Sequence, residues 1–175
     1  MKWISLAIII AIALTSCAPV IRYDLMRAGI RDVPPSIVRD NPERYKDRLF
    51  IMGGIIVDTK VTGEGTLIEA VYVAVDSYGY LKGVGPVDGR FLALYDGILD
   101  PVVFHKDREI TLAGEFIENR MGKIGEREYL YPLFKIKEIY LWPERVYYYV
   151  PPPPPWYYSP WWYDPWWHDH RWRHW

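Results

Sequence analysis

Between residues 48 and 142 the chain runs in short apolar and β-branched stretches, each broken by Gly, Asp or Pro. These stretches predict five strands, over residues 49–58, 66–76, 90–95, 109–118 and 128–142. Part of the last one alternates: Phe134, Ile136 and Glu138 point one way, and Leu133, Lys135, Lys137 and Ile139 the other, as a sheet with one wet face requires. Gly53-Gly54 interrupts the first strand, where a bulge or sharp bend lets a sheet curl. The separating segments, 62–65, 77–89, 96–107 and 119–127, are rich in turn residues and carry no helical period of useful length. Five strands, the first bent at glycine, predict a mostly β domain: a small antiparallel five-stranded, OB-like partly closed barrel, with a sandwich as the alternative. Ahead of it, Asn41 as N-cap, Pro42 at the first helical position and Glu43 in the first turn predict a short helix.

The amino terminus follows another pattern. Met1-Lys2 precede a nearly unbroken apolar run over residues 3–14, and small and hydroxyl residues then lead to Cys17. This is a positive n-region, a short h-region and a processing site. A run of about a dozen residues is too short to span a bilayer, which needs roughly 20. Cys17 is the only cysteine, so it closes no intramolecular disulfide. Leu14-Thr15-Ser16-Cys17 resembles the lipobox of bacterial lipoprotein signal peptides. The resemblance implies that residues 1–16 are a signal peptide and that Cys17 becomes the new amino terminus. Its sulfur would be diacylated and its nitrogen acylated, typically with palmitate. One acyl chain holds only marginally, whereas two or more anchor firmly, at about 0.8 kcal/mol per buried CH₂. Ala18 stands where Asp would resemble an inner-membrane retention signal, which favours the outer membrane. The alternative is ordinary secretory cleavage that leaves a free thiol. Residues 17–33 then read as the lipidated cysteine and a tether lifting the domain off the membrane, closed by Pro34-Pro35.

Removal of residues 1–16 leaves 159 residues, enough for one domain with a real core, and 20 basic against 22 acidic side chains. A chain with no net positive field is not drawn to nucleic acid. Half of the residues are apolar and 17% are aromatic, which excludes a charge-dominated disordered chain. The aromatics are unevenly placed, with eight of the nine tryptophans at or after Trp142.

Within the core, Gly97-Ile98-Leu99-Asp100-Pro101, Glu109-Ile110-Thr111-Leu112-Ala113-Gly114 and Gly122-Lys123-Ile124-Gly125 occur in that order, followed by Tyr129, Tyr131 and Pro132. Their order and spacing resemble the Slp family of starvation-inducible outer-membrane lipoproteins. Phe50-Ile51-Met52-Gly53-Gly54-Ile55-Ile56 and Arg90-Phe91 fit the same pattern, so that the likeness covers roughly residues 34–143. It implies a lipid-anchored β domain of the outer membrane, facing the periplasm and associated with starvation or envelope stress. It implies no catalytic residues. Glycines 97, 114, 122 and 125 suit turns or positive φ, and Asp100-Pro101 suits a turn.

The segment 144–175 departs from that family. Prolines 151–155 favour a stiff polyproline II arm, and aromatic pairs then alternate with proline or charge. Repeated prolines forbid a long helix or an interior strand, so the tail is predicted to be disordered and its rings to need a partner. Trp156, Trp161, Trp162, Trp166, Trp167, Trp172 and Trp175 are the candidate envelope-binding residues. Tyr and Trp favour the membrane–water interface, and their faces also stack on the sugars of peptidoglycan or lipopolysaccharide. Exposed tryptophans and arginines equally suit another envelope protein. The plainest alternative is a low-complexity extension that packs back on its own barrel. His168, His170 and His174 could hold Zn²⁺, Cu²⁺ or Ni²⁺ loosely, but no fourth strong ligand accompanies them, and neither a metal nor a cofactor is expected.

Catalytic patterns are not found. Ser36 and Ser77 lie in no G-x-S-x-G elbow, and His105 is a lone loop histidine. Gly83, Gly85 and Gly89 have the wrong spacing for a dinucleotide fingerprint. The pairs Asp96 with Asp100 and Glu126 with Glu128 could flank a glycosidic bond, but both sit in or beside turns where charge is expected anyway. The reading is a non-catalytic lipoprotein, with a periplasmic cell-wall glycan enzyme or an envelope assembly subunit as alternatives.

Overall fold

The computed structural model describes residues 19–83 and 88–144. Three short helices, α1 (Tyr23–Ala28), α2 (Pro35–Asp40) and α3 (Pro42–Tyr45), precede five strands. These are β1 (Leu49–Thr62), β2 (Gly65–Val73), β3 (Arg90–Tyr95), β4 (Glu109–Ile124) and β5 (Arg127–Leu141). The strands close in the order β1-β2-β3-β5-β4, so the barrel is fully closed where the sequence predicts partial closure. It is also not wholly antiparallel. β3 and β5 pair in parallel through Leu92↔Leu133, Ala93↔Phe134 and Leu94↔Lys135, and this short seam completes the barrel.

The barrel interior is aromatic. Phe134 is fully buried, with ring centroids of Phe50, Phe91 and Phe116 at 5.4, 5.9 and 5.6 Å. Met52, Ile56, Ile68, Ala70, Ile110, Leu112 and Ile136 fill the space around these rings. Apart from Ala70, with its single methyl, each such side chain contributes about 1.5–3 kcal/mol by leaving water. Val38 of α2 and Tyr45 of α3 belong to the same cluster, so these helices plug one end of the barrel. Asn41 makes no side-chain cap on α3. Its amide instead donates to the Ile37 carbonyl at 3.0 Å, closing off α2.

Three local expectations are corrected. The irregularity in β1 falls between Ile56 and Asp58, not at Gly53-Gly54. Those glycines permit close approach: a Cβ on Gly53 would meet Leu81 Cδ2 at 2.3 Å and the Val73 carbonyl oxygen at 2.8 Å. In β5 a register shift opposite Ala113 and Gly114 leaves Lys137 outside the ladder and reverses the alternation. Ile139 and Leu141 therefore join the inner cluster, while Glu138 turns outward to Arg22. Among the family-like glycines, Gly97 (φ 151°) after β3 and Gly125 (φ 61°) at the β4–β5 turn do take positive φ, but Gly114 and Gly122 lie within β4. Gly122 makes room for the Tyr131 ring, which a Cβ would meet at 2.9 Å.

The stretch read as a tether also folds from residue 20 onward. Ile21 is fully buried and Met26 nearly so, packed with Ile51, Val75 and Ala113 on the outer face of β1 and β4. Ile30 adds a parallel bridge to Phe50. On the outer face of β2 and β3, Leu67, Leu92 and Leu94 pack with Ile117, Ile124, Tyr131 and Leu133. The β4–β5 ribbon, longer than its barrel contacts require, thus folds over that face. Among the described residues no helix is long and apolar enough to cross a membrane.

Candidate functional surface

The turn between β2 and β3 gathers the residues around which both ends of the described domain meet. Asp76 organises it, its Oδ1 accepting from the backbone N–H groups of Tyr78 and Tyr80 at 2.8 and 2.9 Å. This is the local bonding that Asp favours over strand continuation. Gly79 supplies φ 88°, which the turn needs and a side chain would resist. Val20 N–H donates to the Tyr78 carbonyl at 3.0 Å, tying the start of the domain to the turn. The fully buried Thr111 hydroxyl donates to the Gly79 carbonyl at 2.9 Å and accepts from Trp142 Nε1 at 3.0 Å. Trp142 also lies 5.4 Å from the ring of Tyr80 and 5.0 Å from that of Tyr140. Two residues later the described domain ends, at Glu144.

Between α1 and this turn opens a cleft of about 420 Å³, lined by Pro19, Tyr23, Met26, Arg27, Arg31, Ser77 and Tyr78. Arg31 Nη1 donates to the Met26 carbonyl at 2.7 Å, and the Arg27 guanidinium lies 5.9 Å from the Tyr23 ring centroid. Among the described residues no carboxylate lines the cleft.

A second polar group sits across the β2–β3 outer face. Glu69 accepts from Arg90 Nη1 at 2.7 Å and from the Tyr131 hydroxyl at 3.0 Å. Burial, and then the hydrogen bond to Glu69, push the Tyr131 phenol up to about 12. The Tyr72 phenol is likewise pushed up to about 12, by burial and then by Asp32 and Asp88. Both are held protonated at neutral pH, far from the value that suits an acid or base working there.

The residues named from sequence divide sharply. Cys17, the tail tryptophans 156, 161, 162, 166, 167, 172 and 175, and His168, His170 and His174 lie outside the described residues, as does Gly85. His105 is surface-exposed, with Nε2 3.0 Å from Glu144 Oε1. Asp96 is 3.5 Å from Lys135 Nζ, and Asp100 accepts from the Val102 N–H at 2.8 Å, as a turn residue should. Ser36 lies in α2, and Ser77 is exposed in the Asp76 turn. Among the described residues no group of three or more His, Cys, Asp or Glu could hold a metal. Sequence reasoning missed the surface of Tyr23, Tyr78, Tyr80 and Trp142, because its parts come from segments far apart in the chain.

In comparisons with solved structures, a mitochondrial single-stranded DNA binding protein of S. cerevisiae gives a TM-score of 0.31 at 8% identity, covering 55% of this chain and 95% of that one. A Plasmodium falciparum SSB in complex with ssDNA gives 0.27 at 10% identity, covering 53% and 90%. An uncharacterized protein of Haemophilus influenzae is 33% identical over 92 residues, which are 52% of this chain and 50% of that protein. The chain thus spans about half the length of this curated relative. A family model matches far more, residues 14–168, so that most of the segment beyond Pro143, read from the sequence as departing from the family, falls within the match. By that match the chain belongs to the outer membrane lipoprotein Slp family.

Proposed function

We propose that the protein is a non-catalytic envelope lipoprotein in which Cys17 carries the acyl anchor, the barrel faces the periplasm, and the aromatic segment beyond Glu144 binds an envelope component. Support of the envelope under starvation or stress follows from the family resemblance. The observation that carries the reading is the convergence of both ends of the barrel domain on the Asp76 turn, through Val20 and Trp142. The barrel serves as a junction in which the same turn holds Val20, near the start of the described domain, and the ring of Trp142, near its end. Its covered faces agree with this role. OB-type barrels take oligonucleotides on the outer face of strands 2 and 3; here Tyr131, Glu69 and Arg90 and the β4–β5 ribbon occupy that face.

The test begins with the intact mass of the mature protein, which should start at an acylated Cys17. The unacylated mature chain, with and without residues 145–175, is then sedimented with purified sacculi and separately with outer-membrane lipid vesicles. Sedimentation of the longer chain alone supports the tail as the binding element, and the pellet identifies glycan or lipid. If neither chain sediments, the tail is not a general envelope binder.

A second reading, an assembly subunit, draws on one observation. Ile98, Val102 and Val103 on the β3–β4 connection are 79%, 80% and 46% exposed, and clustered exposed apolar side chains mark partner contacts. One recurrent protein adduct on crosslinking from this loop would favour it.

A further inference from the structure

We propose that the surface built on the Asp76 turn is a membrane-docking face, which seats the barrel on the anionic headgroups of the leaflet holding its own anchor. This deepens the lipoprotein reading and rests on it. Three independent features point there.

The first is the length of the leash. Val20 is hydrogen-bonded to the turn and Ile21 is fully buried, so only Ala18 and Pro19 separate the folded domain from Cys17. Even fully extended, three Cα steps span roughly 11 Å. An acylated Cys17 therefore holds the turn and α1 against the bilayer and keeps them from swinging away.

The second is what stands on this surface. Tyr23, Tyr78, Tyr80 and Tyr140 are 67%, 50%, 45% and 38% exposed. They form a connected set: Tyr23 and Tyr78 line one cleft, Tyr78 and Tyr80 share the turn, and Trp142 touches both Tyr80 and Tyr140. Exposed tyrosines are poorly placed in bulk water but well placed at the headgroup level, where the ring is shielded and the hydroxyl stays hydrated.

The third is charge. Arg22, Arg39, Arg90, Arg108 and Arg120 each have a carboxylate partner. Arg27 and Arg31, the two in the cleft, have no ion pair among the described residues, as is also true of Arg44, Arg48 and Arg127, none of which lines it. The acids nearby in sequence are engaged: Asp24 with Arg22, Asp32 with Lys82, and Asp76 with its own turn. Two guanidiniums, one held by the Met26 carbonyl and one over Tyr23, suit a phosphate oxygen geometrically and electrostatically.

Acylation of Cys17 makes any introduced cysteine the only free thiol, and this permits a direct test. The acylated full-length mature protein is spin-labelled at Ser77→Cys or at Glu126→Cys, which lies in the distal β4–β5 turn, and reconstituted into vesicles containing phosphatidylglycerol. The accessibility of each label to oxygen and to a water-soluble nickel chelate is then read. The label at 77 is expected to favour oxygen and the label at 126 the chelate. High salt, phosphatidylcholine vesicles, or the double substitution Arg27→Gln with Arg31→Gln should each turn the label at 77 toward the chelate. Each arginine lost should weaken docking by about fivefold. The salt and lipid arms use the unaltered arginines, so a folding defect in the variant cannot mimic the result. Equal chelate access at 77 and 126 on acylated protein in phosphatidylglycerol vesicles would overturn the docking face alone. An unmodified Cys17 in the intact mass would overturn the anchored reading and this face with it.

Discussion

The Thr111 hydroxyl joins β4 to the Asp76 turn and to Trp142, and Thr111→Val tests how far the turn depends on it. Valine keeps the shape and removes only the oxygen that joins β4 to the Gly79 carbonyl and to Trp142 Nε1. Each hydrogen bond contributes about 0.5–1.5 kcal/mol net, and a buried group left without a partner adds about 1–3 kcal/mol. The Gly79 carbonyl is buried with its residue, whereas Trp142 is only partly buried and regains some water. The expected cost is thus on the order of 2–3 kcal/mol. Thr111→Ser keeps the oxygen and loses a methyl, for about 1 kcal/mol. Urea unfolding of the mature chain measures both, provided the slope with denaturant is unchanged. Hydrogen exchange should also show the 76–80 turn losing protection in the valine variant but not in the serine one. A valine variant within about 0.5 kcal/mol of the parent, or a serine variant that is the less stable of the two, would refute the account.

Two further predictions concern the barrel itself. Phe134→Ala should cost about 3–5 kcal/mol in urea unfolding, because three aromatic rings lose their common neighbour; a loss below about 1.5 kcal/mol would mean the cluster is not the centre of the core. Alkaline pH should destabilise the domain through Tyr72 and Tyr131. Each phenol stands near 12 when folded and near 10 when unfolded, so the stabilisation is fully present below pH 10 and disappears as pH rises toward 12. After discounting for solvent screening each contributes on the order of 1–2 kcal/mol. Tyr72→Phe should flatten the unfolding midpoint between those limits relative to the parent, and an unchanged slope would contradict the assignment.

The strands were legible because period-2 runs and their Gly, Asp and Pro boundaries are local signals, and β3 (Arg90–Tyr95) matches its sequence reading residue for residue. What escaped was tertiary. Nothing in residues 133–141 announces the slip at Lys137 that sends Ile139 inward and Glu138 outward. The ribbon beyond Glu118 mixes charges on both faces, so it shows no alternation, yet it pairs all the way to Ile124↔Arg127. Helices α1 and α2 have six residues each, too short for a helical period to emerge, and their apolar residues matter only once β1 and β4 are there to receive α1, and β3 and β5 to receive α2. The candidate surface was hidden for the same reason. Asp76 and Gly79 mark a turn, but Thr111 and Trp142 reach it from β4 and the end of β5, 31 residues apart from each other.

A lipoprotein is confined to a plane, where copies meet side by side and collide repeatedly with the same neighbours. An open five-stranded sheet in that setting would offer unpaired N–H and C=O rows for strand addition at every encounter. The three rungs between β3 and β5 use up those rows and leave the barrel without a free edge there. Where a two-stranded ribbon does run on beyond the barrel, Arg120, Lys123, Glu126, Arg127 and Glu128 line it with charges of both signs, the usual guard against edge-to-edge joining. The shortest pairing among the five described strands thus does more than complete a cylinder: it removes an edge that a neighbour on a crowded surface could otherwise join.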